Sequence, residues 1–185
     1  MSPSVSPHLS AIATRLAEGR AQLAAQFADG TLTPLQYLHR HARLVDTTLV
    51  ALTRAVPLPR GASILAVGGY GRRALYPMSD IDLMLLVPAP LQGADEARAQ
   101  AFVAALWDVG LEVGMSVRTP MEALTLAGED ITVQTNLLEG RRVAGAVSLA
   151  SDFLAALGRA LDPAAFYRAK AAEQERRHSR WLSPY

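Results

Sequence analysis

Two aspartates, Asp80 and Asp82, stand one residue apart at the start of an apolar segment that ends near Val87. Side chains alternate between the two faces of a β-strand, so both carboxylates would project from the same face. Two like charges side by side repel each other, and such a pair is favoured mainly where cations lie between them. Oxygen ligands suit Mg²⁺, which also binds substrate phosphates. This segment therefore predicts a magnesium site.

A glycine-rich turn precedes the two aspartates. A predicted buried strand over 64–67 runs into the Gly-Gly-Tyr-Gly run at 68–71. Free backbone N–H groups in such a turn, and at a helix start, can bind phosphate. The spacing is not that of the dinucleotide-binding fingerprint, and no Gly-Lys-Ser/Thr follows as in a P-loop. Each motif alone is more often structural, but a phosphate-binding turn beside metal-binding carboxylates is typical of nucleotidyl transfer.

Hydrophobic periodicity and capping signals predict the elements that position these residues. Two N-terminal helices are expected, over 8–29 and from Pro34 to about Ala55, and a Pro-containing break follows them. Asp130 is expected to cap a further helical turn. The order after the break predicts a small mixed sheet with helices, in the α+β or α/β class. The predicted strands cover 64–67, 80–87, 111–118 and 136–143, and the predicted helices cover 95–109, 120–127, 148–157 and 163–181.

These elements suggest three parts. We predict a helical hairpin over 1–57, a sheet-containing core over 58–146, and C-terminal helices over 147–185. The whole chain of 185 residues is long enough for one domain with a sizeable core and a helical addition.

Composition excludes several classes of protein. The net charge of +1 argues against a strongly basic nucleic-acid-binding protein. The absence of cysteine excludes disulfides and thiolate zinc sites. The N-terminus has no secretory signal pattern, and no apolar run approaches the roughly 20 residues of a membrane span. We therefore expect a cytoplasmic protein that binds neither nucleic acid nor membrane.

The histidines offer no second metal site. His39 and His41 are two residues apart on a predicted helix, so they point in different directions. His8 lies near a terminus, and His178 lies in a basic cluster.

Several motifs resemble, in the same order, those of the bifunctional uridylyltransferase/uridylyl-removing enzymes, which act on the PII nitrogen-signalling protein. The resemblance covers roughly residues 60–180 and implies an α+β fold of the DNA polymerase beta superfamily, with N- and C-terminal helical additions. The matching motifs are Gly-Gly-Tyr-Gly-Arg at 68–72, Pro77, Ser-Asp-Ile-Asp at 79–82, Leu-Trp-Asp-Val-Gly-Leu-Glu-Val-Gly at 106–114, Ser-Val-Arg-Thr at 116–119, Leu-Leu-Glu at 137–139, and Glu-Arg-Arg-His at 175–178 with Arg180.

This resemblance implies Mg²⁺-dependent transfer of UMP from UTP to a tyrosine hydroxyl of a PII-type protein. Asp80 and Asp82 would bind two Mg²⁺ ions that activate the attacking hydroxyl and stabilise charge on the phosphates. The backbone N–H groups of Gly68 and Gly69 would bind the triphosphate. Arg72 would assist as a cation, or would be a solvated surface arginine.

The family fold also uses a third carboxylate on a neighbouring strand. Glu112 and Glu139 are the candidates, and the order of elements favours Glu139, which falls within the predicted strand 136–143. Its role would be metal binding or activation of the acceptor hydroxyl. Ser79 is expected to bind the triphosphate or stabilise a turn, and Arg118 to bind a phosphate or pair with an acid.

The chain also departs from the family pattern. Ala74 stands where the family has Glu, and Tyr76 and Met115 stand where it has His. Family members continue into an HD-type domain and paired ACT-type domains that are not in this sequence. We therefore expect a fragment or a truncated paralogue, and assign neither uridylyl removal nor glutamine sensing to it. The alternatives are an ATP-using transferase with another acceptor, and a degenerate domain that binds a nucleotide or a partner.

Overall fold

The computed structural model describes residues 7–181, and side chains up to residue 176. The N-terminal segment 1–6, and the side chains of His178 and Arg180 in the last family motif, lie outside the described part. The helices are α1 (Pro7–Ala28), α2 (Pro34–Ala55), α3 (Gly68–Gly71), α4 (Ala94–Asp108), α5 (Pro120–Glu129), α6 (Ile131–Leu138), α7 (Val147–Ala160) and α8 (Pro163–Trp181), and the strands are β1 (Ser63–Ala66), β2 (Ile81–Leu86), β3 (Val113–Arg118) and β4 (Arg141–Gly145).

The four strands form one mixed sheet in the order β3-β2-β1-β4. Strand β1 is antiparallel to both β2 and β4, whereas β2 and β3 are parallel, with Ile81 paired with Val113. A parallel pair needs a long crossover, and α4 supplies it between β2 and β3. The predicted α+β class, with a small mixed sheet flanked by helices, is confirmed.

Alternate residues of the sheet enter two separate hydrophobic clusters. Ile64 and Leu83 belong to the cluster that α1, α2 and α4 cover. Leu65 and Met84 belong to the cluster on the opposite face, which α5, α6 and α7 cover. Because side chains alternate along a strand, Asp82 lies on the same face as Met84. The side chain of Asp82 therefore emerges on the α6 side of the sheet.

The N-terminal hairpin packs directly on the sheet. Leu16 of α1 and Leu49 of α2 are fully buried in the same cluster as Ile64. Thr33 begins α2 with a capping box, and Pro34 occupies the first turn. The boundary between a helical hairpin and a sheet-containing core at residue 57 stays a prediction. The hairpin and the sheet share one hydrophobic cluster. No helix in the described part of the chain, including the 22-residue α1 and α2, is long and apolar enough to span a membrane.

The predicted fourth strand over 136–143 is wrong in position. Asp130 accepts hydrogen bonds from the N–H groups of Thr132 and Val133, at 2.6 and 3.3 Å, and so begins an eight-residue helix, α6. Residues 136–138 end this helix, and the strand covers Arg141–Gly145 instead. The run after Asp130 is apolar at both helical and strand spacings, and the N-cap decides for the helix. The other predicted elements agree with the structure to within three residues at each end.

Leu49→Ala tests whether the hairpin and the sheet share one core. Leu49 is fully buried, so its truncation should lower the free energy of unfolding by about 2–5 kcal/mol. Leu35→Ala is the matched control on the same helix, since Leu35 is 61% exposed and should change stability by no more than about 0.5 kcal/mol. Urea unfolding measures both. Similar small losses in the two variants would contradict the shared core.

Candidate active site

The Asp82 carboxylate lies in space that two glycines leave open. Its Oδ2 lies 3.6 Å from the point that a Cβ on Gly68 would occupy, and its Oδ1 lies 3.1 Å from the corresponding point on Gly114. Gly114 pairs with Asp82 across β2 and β3. Gly68 has a φ of +55°, a conformation that favours glycine. The structure therefore brings the second aspartate of the pair against the glycine turn.

Burial and repulsion both act on this carboxylate. Partial burial raises the pKa of Asp82, and the negative charge of Asp80 raises it further. Both effects disfavour the ionised form, and a bound cation would offset them. Two carboxylates fit the preference of Mg²⁺ for oxygen ligands. Among the described residues, however, no three or more Asp, Glu, His or Cys side chains are grouped to hold a metal ion. Other oxygen donors, such as substrate phosphates, would have to complete the coordination.

The structure does not place Glu139 on a strand beside the aspartates. Glu139 is the C-cap of α6 and precedes β4, and β4 pairs with β1 rather than with β2. Its carboxylate forms an ion pair with Arg72. Glu112 has the better position, because it immediately precedes β3 and would lie opposite Asp80 if the β2–β3 register continued by one residue. The strand assignment of Glu139 is therefore wrong, and its role as a ligand stays a prediction.

The Arg72 side chain lies over the glycine turn. Its Nη2 is 3.9 Å from the point that a Cβ on Gly69 would occupy, and its side chain is 54% exposed. A Cβ on Gly71 would overlap the carbonyl of Glu139 and would lie 3.1 Å from the carbonyl oxygen of Ala66. The absence of a side chain at position 71 thus allows the end of α6 to approach α3 closely. This approach places the Arg72–Glu139 ion pair beside the turn.

The two remaining predicted site residues have different positions. The Ser79 hydroxyl donates to the carbonyl of Tyr76 at 3.0 Å, so it stabilises the turn before β2. Arg118 ends β3, and its register partner is Leu86 rather than Asp82. Four residues along a strand correspond to roughly 13 Å. Ser79 therefore adjoins Asp80, whereas Arg118 lies at the other end of the sheet from the aspartates.

A network of polar side chains holds α3 in place. The Tyr70 hydroxyl donates to Oδ1 of Asp46 on α2 at 2.6 Å, and burial raises the pKa of that hydroxyl. Arg141 of β4 donates to the same Asp46 oxygen at 2.9 Å and to the carbonyl of Gly71 at 3.1 Å. Its guanidinium also lies 4.9 Å from the centroid of the Tyr70 ring. The network joins the hairpin, the glycine turn and β4.

His41 fixes the segment that follows this turn. It is buried on α2, and its Nδ1 lies 3.1 Å from the Leu75 carbonyl, which can only accept. Burial lowers the pKa of His41, which favours the neutral ring. The burial of His41 and its contact with the Leu75 carbonyl indicate a structural role.

Asn136 of α6 also lies at this site, and the sequence did not indicate it. Its Oδ1 is 3.3 Å from the point that a Cβ on Gly68 would occupy, so it lies close to the Asp82 carboxylate. The predicted strand over 136–143 includes Asn136 and would give it different neighbours. The N-cap at Asp130 is the signal that could have located it, because it sets the start of α6.

Comparison with known proteins supports the family resemblance. No protein-family model matches the chain. Curated bifunctional uridylyltransferase/uridylyl-removing enzymes are similar over most of it: that of Bordetella avium is 47% identical over 94% of this chain, that of Thiobacillus denitrificans 48% over 90%, and that of Chromobacterium violaceum 43% over 89%. The chain is homologous to a segment of these enzymes. It spans about a fifth of their length, since the matches cover 19–20% of each relative.

Solved structures show a weaker likeness. The crystal structure of a toxin–antitoxin with AMP-PNP matches 75% of this chain and 98% of its own, with a TM-score of 0.38 and 17% identity. The family relationship therefore rests on the uridylyltransferase sequences.

Asp82→Asn tests the electrostatic cost at the site. The raised pKa of Asp82 means that its ionised form is disfavoured in the folded protein. At pH 7 and in the presence of EDTA, the variant should therefore have a higher free energy of unfolding than the unchanged protein. The difference should shrink as the pH falls towards about 3.9, where an unfolded aspartate becomes protonated.

Asp152→Asn is the control for this experiment, because Asp152 is exposed on α7. It should leave the stability unchanged at pH 7. Urea unfolding between pH 4 and pH 7 measures all three proteins. A lower stability of Asp82→Asn at pH 7 would show that the carboxylate is favourably placed without a cation.

Proposed function

We propose that the chain transfers UMP from UTP to a tyrosine hydroxyl of a PII-type protein, in a Mg²⁺-dependent reaction. The observation that carries this proposal is the position of the Asp82 carboxylate against the Gly68 turn. At this position a carboxylate oxygen that could bind a metal ion lies next to backbone N–H groups that could bind a phosphate. The names of the homologous enzymes support the nucleotide and the reaction class. A cytoplasmic location is part of the proposal, because UTP is the co-substrate.

The residues of this chain would bind and orient the reactants. The N–H groups of Gly68 and Gly69, at the start of α3, would bind the triphosphate, and Arg72 would contribute a positive charge. Asp80 and Asp82 would hold two Mg²⁺ ions, which when bound would acidify the acceptor hydroxyl and neutralise charge on the phosphates. In the transfer step the tyrosine oxygen bonds to the α-phosphorus, the bond from this phosphorus to pyrophosphate breaks, and the hydroxyl proton passes to solvent.

We propose Glu112, rather than Glu139, as the third carboxylate. Glu112 would lie opposite Asp80, and on the same face of the sheet, if the β2–β3 register continued by one residue. Glu139 instead neutralises Arg72 and lies beyond β1. Glu112 is exposed, so its side chain is free to turn towards a bound ion.

Asp80→Ala and Asp82→Ala test the transfer. Each should lower the rate of labelled UMP transfer from UTP to a purified PII-type protein by about 100-fold or more, the scale for losing a group that stabilises the transition state. Asp152→Ala, which removes an exposed carboxylate on α7, should keep full activity. The assay is run with and without Mg²⁺, and with ATP in place of UTP.

Three outcomes of this assay would replace the proposal. Unchanged activity in both aspartate variants would refute the metal site. A preference for ATP would indicate a transferase with a different nucleotide and acceptor. Binding of UTP without release of pyrophosphate, with any acceptor, would indicate a domain that binds nucleotide for regulation.

Gly114→Ala separates the position of Asp82 from the stability of the fold. The new Cβ would lie 3.1 Å from Oδ1 of Asp82, so the carboxylate would have to shift by a few tenths of an ångström. We expect about a tenfold loss of transfer rate, because catalysis depends steeply on the positions of the reacting groups. Stability should be equal or higher, because alanine is favoured over glycine within a strand by about 0.5–1 kcal/mol.

Gly128→Ala is the matched control for this prediction. A Cβ at position 128, in α5, would meet no atom within 4 Å. The control should keep its activity and gain a little helix stability. Thermal unfolding and the transfer assay are measured on both variants. Equal activity in the two would show that the space beside Asp82 does not matter for the reaction.

A further inference from the structure

The last turn of α6 forms one wall of the candidate active site. Asn136 and Glu139 are three residues apart, so they lie on the same side of the helix. Glu139 pairs with Arg72, and the Oδ1 of Asn136 lies 3.3 Å from the point that a Cβ on Gly68 would occupy. One oxygen of Asp82 lies 3.6 Å from the same point. Asn136 therefore adjoins both the glycine turn and the Asp82 carboxylate.

The amide of Asn136 is available to a ligand. Among the residues that the structure describes, the amide forms no hydrogen bond. No described side chain has a fully buried polar atom that lacks a partner, so the Asn136 amide must reach solvent. Asn136 is nevertheless half-buried, and α6 is fixed at its start by the Asp130 cap. The side chain is thus held at the site, and its amide stabilises the fold through no hydrogen bond of its own.

We propose that Asn136 is a nucleotide-binding residue, whose amide Nδ2 donates a hydrogen bond to the triphosphate of the bound nucleotide. The inference rests on the proposed function for the position of the triphosphate at the Gly68 turn. An amide can present its nitrogen by a half-turn of the side-chain terminus, and a phosphate oxygen only accepts. A donor fits this place because the Asp82 carboxylate beside it can only accept hydrogen bonds and so offers none to a phosphate oxygen.

The competing role for the same atom group is metal binding through the amide oxygen. Carbonyl oxygens of asparagine do bind hard cations. The two roles respond oppositely to Asn136→Asp. Loss of the donor and a new negative charge would weaken the binding of a triphosphate, whereas an added carboxylate would strengthen the binding of a divalent cation.

Calorimetric titration with α,β-imido-UTP and Mg²⁺ tests the proposal, because this analogue cannot release pyrophosphate. Asn136→Ala should weaken its binding about tenfold, the scale for one hydrogen bond to a charged acceptor. Asn136→Asp should weaken it further. Gln134→Glu is the matched amide-to-acid control, two residues earlier on α6 and facing a separate cavity that Phe166 of α8 lines, and should stay within twofold. Urea unfolding of each variant confirms that it is folded.

A second titration, with Mn²⁺ and no nucleotide, distinguishes the two roles. The proposal expects Asn136→Ala to bind Mn²⁺ as the unchanged protein does. Weaker Mn²⁺ binding in Asn136→Ala, together with tighter binding in Asn136→Asp, would overturn it in favour of metal binding. Unchanged affinity for the analogue in both Asn136 variants would overturn it as well.

The experiment also separates this inference from the proposed function. If the unchanged protein transfers UMP to a PII-type protein but the Asn136 variants bind the analogue normally, only the inference about Asn136 fails. If the protein binds the analogue through Asn136 but transfers nothing, the acceptor assignment fails and Asn136 stands. If the unchanged protein does not bind the analogue, both fail.

Discussion

The site depends on one unfavourable arrangement, the placement of a partly buried carboxylate beside another carboxylate. Partial burial raises the pKa of Asp82, and the negative charge of Asp80 just before β2 raises it further. The fold also gives this charge little room, since Gly68 and Gly114 adjoin it on two sides. Such a pair costs stability unless a bound cation offsets the charges. Its presence at the start of a core strand is the strongest physical argument for a bound cation.

The rest of the fold supplies the rigidity that this arrangement needs. Two hydrophobic clusters enclose the sheet, so β2 is fixed from both faces. Asp46, Tyr70 and Arg141 then connect α2, the glycine turn and β4 through partly buried hydrogen bonds. Removing one partner from such a network lowers the stability of the fold. When every partner is present, the network holds these elements in one arrangement. The N-terminal hairpin therefore helps to position the turn, although it contributes no predicted ligand.

Local signals in the sequence predicted most of the fold and part of the site. Helices with caps, such as α2 with Thr33, and strands with clear alternation, such as β2, need little information from distant residues. The close approach of Asp82 to Gly68 followed from the strand–turn–strand order. The strand position predicted for Glu139 is wrong. The apolar run before it fits both a helix and a strand, and the Asp130 cap makes it a helix. The Asp130 cap could have placed Asn136 on a helix, but the contact of that helix with the Gly68 turn depends on packing, and the position of Arg118 depends on sheet order, which no local pattern encodes.

Helix α6 contributes an ion pair that orders the site and that an anionic ligand could displace. The Arg72–Glu139 pair is partly exposed, and ion pairs of this kind contribute only about 0–1 kcal/mol. A triphosphate could therefore replace Glu139 as the partner of Arg72 at little cost. Gly71 keeps the backbone of α3 close to Glu139, so Arg72 would need only a side-chain movement to reach a ligand at the turn. The same helix holds Asn136 beside the turn, so that α6 can contribute both a neutral donor and a releasable counter-charge.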